Sequence, residues 1–157
     1  MAQNIYDNEK FFTGYSTLPR SVEGLDGAPE WPSISALIPD LGGKRVVDLG
    51  CGFGWFSRWA RVQGASQVLG LDLSENMLNR AREDTTDESI HYETADLEQL
   101  QIGEMAFDFA YSSLAFHYVE DFQRLVATIF RALVPGSYLV FSIEHPIFMA
   151  ARQPMWL

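Results

Sequence analysis

Cysteine, lysine and long apolar runs are the scarce features of this chain of 157 residues, and each scarcity narrows what it can be. The lone Cys51 cannot close an internal disulfide, so the fold must rest on an apolar core, for which 47% hydrophobic content suffices in one domain. Lysine occurs only as Lys10 and Lys44, and 11 basic residues against 21 acidic ones give a net charge of −10. That average field repels phosphate backbones, and no dense Lys/Arg cluster offsets it locally, so no nucleic-acid partner is expected. No apolar stretch approaches membrane-spanning length, and the opening MAQNIYDNEKFF lacks the basic start and apolar centre of a secretory leader. A cytoplasmic location without membrane contact is therefore expected. The acids between Glu83 and Glu104 read as a solvated face, and no metal site is expected.

The informative stretch is residues 45–57, RVVDLGCGFGWFS. Val46, Val47 and Leu49 suit a buried strand, and Gly50, Gly52 and Gly54 follow it at GxGxG spacing. Such a turn lets a ligand lie against bare backbone. Over 55–62, Phe56, Trp59, Ala60 and Val62 recur at helical spacing. A Walker loop is excluded because no Gly-Lys-Ser/Thr closes the turn, and a dinucleotide GxGxxG would need glycine where Trp55 stands. Asp48, two residues before the first glycine, suits a ligand with a positively charged part. Cys51 fits the turn as a small packed residue.

Downstream, strands are expected over 67–71, 90–94, 107–112 and 137–143. Helices are expected over 33–38, after a Ser74 cap with Met77, Leu78 and Ala81 on one side, and over 119–133; Pro135 and Gly136 mark a turn. This alternation calls for a mostly parallel sheet with right-handed crossovers, in which ligands bind beyond the carboxyl ends of the strands. Residues 50–54, 72–73, 96–97 and 112–117 should then line one crevice. Asp72 ends the second strand about twenty residues past the turn, where a carboxylate accepts ribose hydroxyls. His117, between Phe116 and Tyr118, reads either as a packed ring or as a proton acceptor. Glu144 and His145, held extended by Pro146, are two ionisable groups at a strand end, which points to an acceptor site. His91 alternates within a strand and is expected at the surface.

Over residues 4–146 these motifs resemble the class I S-adenosylmethionine-dependent methyltransferases, in particular bacterial small-molecule methyltransferases of the ubiquinone-pathway-like type. The resemblance implies a three-layer, Rossmann-like, doubly wound α/β fold. It also implies S-adenosyl-L-methionine as cofactor, S-adenosyl-L-homocysteine as product and a small-molecule acceptor methylated by in-line displacement. It assigns Asp48, Gly50, Cys51, Gly52 and Gly54 to the first cofactor motif, Asp72 and Leu73 to the ribose, and Met77 to the underside of the adenine. Asp96 and Leu97 meet the adenine edge, with a plain helix cap as the other reading of Asp96, and Ser112 with Ser113 meets the methionine portion. His117, Glu144 and His145 fall at the acceptor side. Residues 1–41 form a cover in which Tyr6, Phe11, Tyr15 and Arg20 close over the cofactor or simply pack on the sheet, with Tyr15 or Arg20 at its carboxylate. Members of the family continue through a further helix and an antiparallel strand pair. The core, 42–157, is therefore expected to lack the last strands and to associate with a second copy or a completing partner. A module that binds the cofactor without turnover, and a nicotinamide oxidoreductase disfavoured by Trp55, are the competing readings.

Overall fold

The computed structural model describes residues 4–145, so Pro146 and the apolar end of the chain lie outside the described residues. Five strands form one sheet among these residues: β1 (Arg45–Leu49), β2 (Gln67–Asp72), β3 (Ile90–Thr94), β4 (Phe107–Ser113) and β5 (Leu133–Ser142). Their order is β3-β2-β1-β4-β5 and every pairing is parallel, so the expected doubly wound architecture is observed. The chain steps outward from β1 to β3, then returns to the other side of β1 as β4. The strand order therefore reverses between β1 and β4, where folds of this kind open a crevice.

Strand alternation divides the core between the two faces. Val46, Phe109 and Tyr111 pack with Phe56 and Ala60 of α4 (Trp55–Val62) and with Ile34 of α3 (Trp31–Ser35). Val47, Leu49 and Ala110 pack on the opposite face with Leu125, Ile129 and Ala132 of α6 (Phe122–Ala132). The third crossover helix, α5 (Glu75–Glu83), buries Met77, Leu78 and Ala81 and is capped as expected, Ser74 Oγ accepting from the Met77 amide at 3.2 Å. Ahead of the core run α1 (Glu9–Tyr15), α2 (Pro19–Val22) and two 3-10 turns, Ile5–Asp7 and Gly24–Gly27.

Several boundaries differ from the sequence expectation. The last helix starts at Phe122 rather than 119, because Asp121 caps it through the Arg124 amide at 2.9 Å and residues Phe116–Tyr118 form a separate 3-10 turn. The helix expected over 33–38 is α3, which begins two residues earlier and ends three earlier, with a proline in its first turn, where the missing N–H is harmless. Strand β5 begins at Leu133 instead of 137. The turn expected at Pro135-Gly136 falls in a register break, where Leu133 opposes Phe107 and Tyr138 opposes Phe109. Strand β5 ends at Ser142, so Glu144 and His145 follow it in irregular chain. His91 is exposed, as alternation predicts.

Candidate functional site

Beyond the carboxyl ends of β1, β2 and β4 lies a cavity of about 370 Å³, also walled by residues of the N-terminal segment. Its floor is the glycine turn. The amides of Gly50 and Cys51 both donate to the Leu71 carbonyl, at 2.7 and 2.8 Å, stitching the turn to β2. Gly50 lies so close to Ala115 that a Cβ would overlap that methyl group, whereas Gly52, at φ +52°, has open space where a side chain would stand. Gly52 therefore presents bare peptide to the cavity.

Asp72 ties this floor to the next strand. Its Oδ2 accepts from the Gly52 amide at 2.8 Å and its Oδ1 from the Ser74 amide at 3.0 Å. Burial raises the Asp72 carboxyl above the ordinary carboxylate range, and the two amides oppose that shift. Asp72 and Leu73 both line the cavity. Asp48 lies one strand over, on the α4 side of β1, where alternation puts it with Val46. It is 2% exposed, and its Oδ2 accepts from Ser57 Oγ of α4 at 2.7 Å. Burial, reinforced by the charge of Asp72, pushes its carboxyl up to about 7 against the Ser57 hydrogen bonds.

At the β2 and β3 end the wall is Leu73, Met77, Ala95, Asp96 and Leu97. Asp96 also caps the 3-10 turn Leu97–Gln99, accepting from the Glu98 amide at 2.9 Å, so the cap role and the wall position coincide. Glu98 departs from the solvated-face expectation. Its carboxylate accepts from the Glu120 and Asp121 amides at 2.8 and 3.0 Å and fastens the approach to α6.

From the N-terminal segment, Tyr6, Tyr15 and Arg20 line the cavity. Phe11, 40% exposed, is not on the wall; it packs edge-on to Tyr6 and stacks on Tyr15. The start of the segment is tied to both α5 and the glycine turn. Asp7 Oδ1 accepts from Ser74 Oγ and the Asn76 amide at the start of α5, at 2.5 and 3.3 Å, and Phe12 and Tyr15 meet Phe53 of the glycine turn edge-on. Arg20 Nη2 is held by both carboxylate oxygens of Glu30, at 2.9 and 3.0 Å. Burial raises the phenols of Tyr6 and Tyr15 above their ordinary range.

His117 and Glu144 lie on the wall near Ser113, Leu114 and Ala115 of the β4 end. Both ring nitrogens of His117 are buried without a hydrogen-bond partner among the described residues, and so is Trp55 Nε1. Three sequence candidates lie elsewhere. Ser112 is fully buried and its hydroxyl donates to the Leu49 carbonyl at 2.7 Å, so it joins β4 to β1 while Ser113 reaches the cavity. Gly54 starts α4 at φ +74°, packed against the Tyr92 hydroxyl and away from the wall. His145 also falls outside the lining.

Sequence reading missed Glu30, Glu98 and the indole of Trp55 as wall residues. Trp55 carried a signal, as a bulky side chain at the head of the helix after the turn. Glu30 and Glu98 carried none, because their partners are 10 and more than 20 residues away.

The family described as a methyltransferase domain matches residues 47–141. A crystal structure of an S-adenosylmethionine-dependent methyltransferase from Mesorhizobium loti superposes with a TM-score of 0.81 at 60% identity, covering 85% of this chain and 61% of that one. An uncharacterised protein of Haemophilus influenzae is 38% identical over 150 residues, 92% of this chain and 59% of that protein. A malonyl-[acyl-carrier protein] O-methyltransferase of Buchnera aphidicola is 39% identical over 101 residues, 64% of this chain and 40% of that enzyme. The chain thus spans between two fifths and about three fifths of the length of these relatives.

Proposed function

The chain belongs to the methyltransferase-domain family, and from that premise we propose that its cavity binds S-adenosyl-L-methionine and passes the methyl group to a small-molecule acceptor. The observation that carries the reading is the Asp72 link to Gly52: the acid ending β2 and the bare peptide after β1 share one wall of a cavity that also reaches the end of β4, across the point where strand order reverses. A cavity of about 370 Å³ suits a small ligand.

The residues present fit this cofactor. Asp72, Asp96, Glu98 and Glu144 line the wall together with the ion-paired Arg20 and Glu30, an excess of acids that favours a cationic guest. In this reading Asp72, with Leu73 beside it, holds the ribose, Asp96 and Leu97 the adenine edge, and the Gly50–Gly52 backbone the methionine portion. Met77 supports the adenine side from α5, and Arg20 or Tyr15 is positioned for the carboxylate. When bound, the cofactor supplies an electrophilic methyl group on a sulfonium. The protein contributes placement and exclusion of water, which account for much of the rate in such a displacement. His117, with both nitrogens unpartnered at the wall, takes the acceptor's proton when the acceptor is an alcohol or an ammonium. Glu144, on the same wall, is assigned to the acceptor side in this reading.

Calorimetric titration with S-adenosylmethionine and S-adenosylhomocysteine, followed by a methyl-release assay over metabolite pools, tests this reading. Both ligands should bind, and His117→Gln should lower turnover while leaving their affinities in place. A folded protein that takes up neither ligand overturns the proposal. Binding without turnover of any acceptor reduces it to a cofactor-binding module.

A further inference from the structure

One end of the cavity holds groups that the cofactor does not need. There the 3-10 turn Phe116–Tyr118 is held against the end of β5: the Leu114 amide donates to the Ser142 carbonyl at 2.9 Å, and the Phe116 and Phe141 rings lie 5.3 Å apart. These contacts put His117 and Tyr118 at the same end of two neighbouring strands as Glu144, and all three residues line the cavity. Tyr6 of the N-terminal segment joins them, its hydroxyl 3.5 Å from that of Tyr118, and the His117 and Tyr118 rings are 4.2 Å apart.

The charges at this end select a guest. Every other carboxyl group on the wall already accepts from a neighbour: Glu30 from Arg20, Asp48 from Ser57, Asp72 from the Gly52 and Ser74 amides, Asp96 from the Glu98 amide, and Glu98 from the Glu120 and Asp121 amides. Glu144 is exposed and makes no hydrogen bond or ion pair among the described residues. Arg20, the only Lys or Arg among the described residues of the wall, is neutralised by both oxygens of Glu30. Burial keeps the Tyr6 phenol protonated, and the rings of Tyr6 and Tyr118 add π-systems that attract cations.

We propose that this end of the cavity receives the methyl acceptor and that the acceptor is an aliphatic amine, bound as its ammonium by Glu144 with the Tyr6 and Tyr118 rings, and deprotonated by His117. The proposal rests on the methyltransferase reading of the same cavity. An ammonium has no lone pair to offer, and a nearby sulfonium weakens its hold on the proton. The N–H bond breaks, and the proton passes to a ring nitrogen of His117, both of which are buried without a partner. The freed lone pair forms the new N–C bond as the C–S bond breaks, and the electron pair of that bond stays on sulfur. The products are a methylated ammonium and the neutral thioether S-adenosylhomocysteine, and His117 returns its proton to water. An anionic acceptor meets the reverse arrangement, an unmatched carboxylate and no unmatched cation.

Hexylamine, hexanol and hexanoate share a chain length and differ in charge at about pH 7. Their affinities are measured by calorimetry on the full chain saturated with S-adenosylhomocysteine, whose sulfur carries no charge to repel the amine. Hexylamine should bind at least about fivefold more tightly than hexanol or hexanoate. Glu144→Gln should weaken hexylamine about three- to tenfold while leaving hexanol and S-adenosylhomocysteine in place. Glu104→Gln, an equal change in net charge away from the wall, should leave all of them unchanged. Tyr118→Leu should also weaken hexylamine more than hexanol, and Tyr118→Phe, which keeps a ring, should retain the preference. Hexanol or hexanoate binding the wild type as tightly as hexylamine overturns the acceptor class. So does a preference that survives in folded Glu144→Gln, or one that falls equally in Glu104→Gln. A protein that binds S-adenosylhomocysteine but none of the three overturns this inference alone, and one that binds neither that product nor hexylamine overturns the functional reading with it.

Discussion

Replacing Asp48 with asparagine should make the protein more stable at neutral pH while leaving it unchanged in acid. The carboxyl is 2% exposed, and burial raises it from the usual 3.8 to about 7. Below about pH 4 the folded and unfolded chains both carry the proton, and the group contributes nothing to stability. Between about pH 4 and 7 the unfolded chain releases its proton while the folded chain keeps it, so stability declines as pH rises. Above about pH 7 the loss is complete, and a rise from 3.8 to about 7 corresponds to about 4 kcal/mol. The asparagine amide that Asp48→Asn introduces has no charge to desolvate, and its carbonyl oxygen can still accept from Ser57 Oγ. Urea unfolding of both proteins from about pH 4 to 8 reads the difference, because titrating groups that are not coupled to Asp48 cancel between them. The variant should gain on the wild type with each step upward in pH, approaching about 4 kcal/mol at most. A difference that stays flat, or a wild type that gains on the variant with rising pH, refutes the buried-carboxylate account.

Two further substitutions separate binding from architecture. Asp72→Ala leaves the Gly52 and Ser74 amides without their acceptor, and should cost about 2 kcal/mol of stability and weaken S-adenosylmethionine binding by about 1.5 to 3 kcal/mol. Unchanged calorimetric affinity in the folded variant removes Asp72 from the site. Ser112→Ala withdraws the donor to the Leu49 carbonyl and should lower thermal stability by about 1 kcal/mol with cofactor affinity intact. A large loss of affinity at unchanged stability would return Ser112 to the cofactor wall.

What could be read from the sequence was local. Strand β1, the turn after it and α4 follow from residue spacing within a dozen positions, and the expected bounds of β1 and α4 are the observed ones. Strand β2 runs one residue further, to Asp72, because β3 continues to pair with it up to Thr94. The start of β5 was less legible, since Pro135 and Gly136 look like a strand boundary although Leu133 already pairs with Phe107 ahead of them. Ser112 lies off the cavity wall for a reason present in the alternation itself. Tyr111 faces α4, so its neighbour must face the other way, and only Ser113 returns to the side that reaches the cavity.

Three acids of the cavity wall share one physical property: they are fixed by partners distant in sequence. Glu98 is defined by the amides of Glu120 and Asp121, Glu30 by the guanidinium of Arg20, and Asp72 by the Gly52 amide twenty residues earlier. Each is a carboxylate whose oxygens are occupied by N–H groups, so these acids are held in place before any guest arrives. Such preorganisation limits what ordering must be added on binding. It also explains why the glycine turn, with Gly52 bare toward the cavity, keeps a defined shape. The Leu71 carbonyl holds Gly50 and Cys51 from one side, Asp72 holds Gly52 from another, and the rings of Phe12 and Tyr15 close on Phe53. A turn of flexible residues is thereby fixed by three ties that originate in β2 and α1, and the exposed peptide can act as a rigid binding surface.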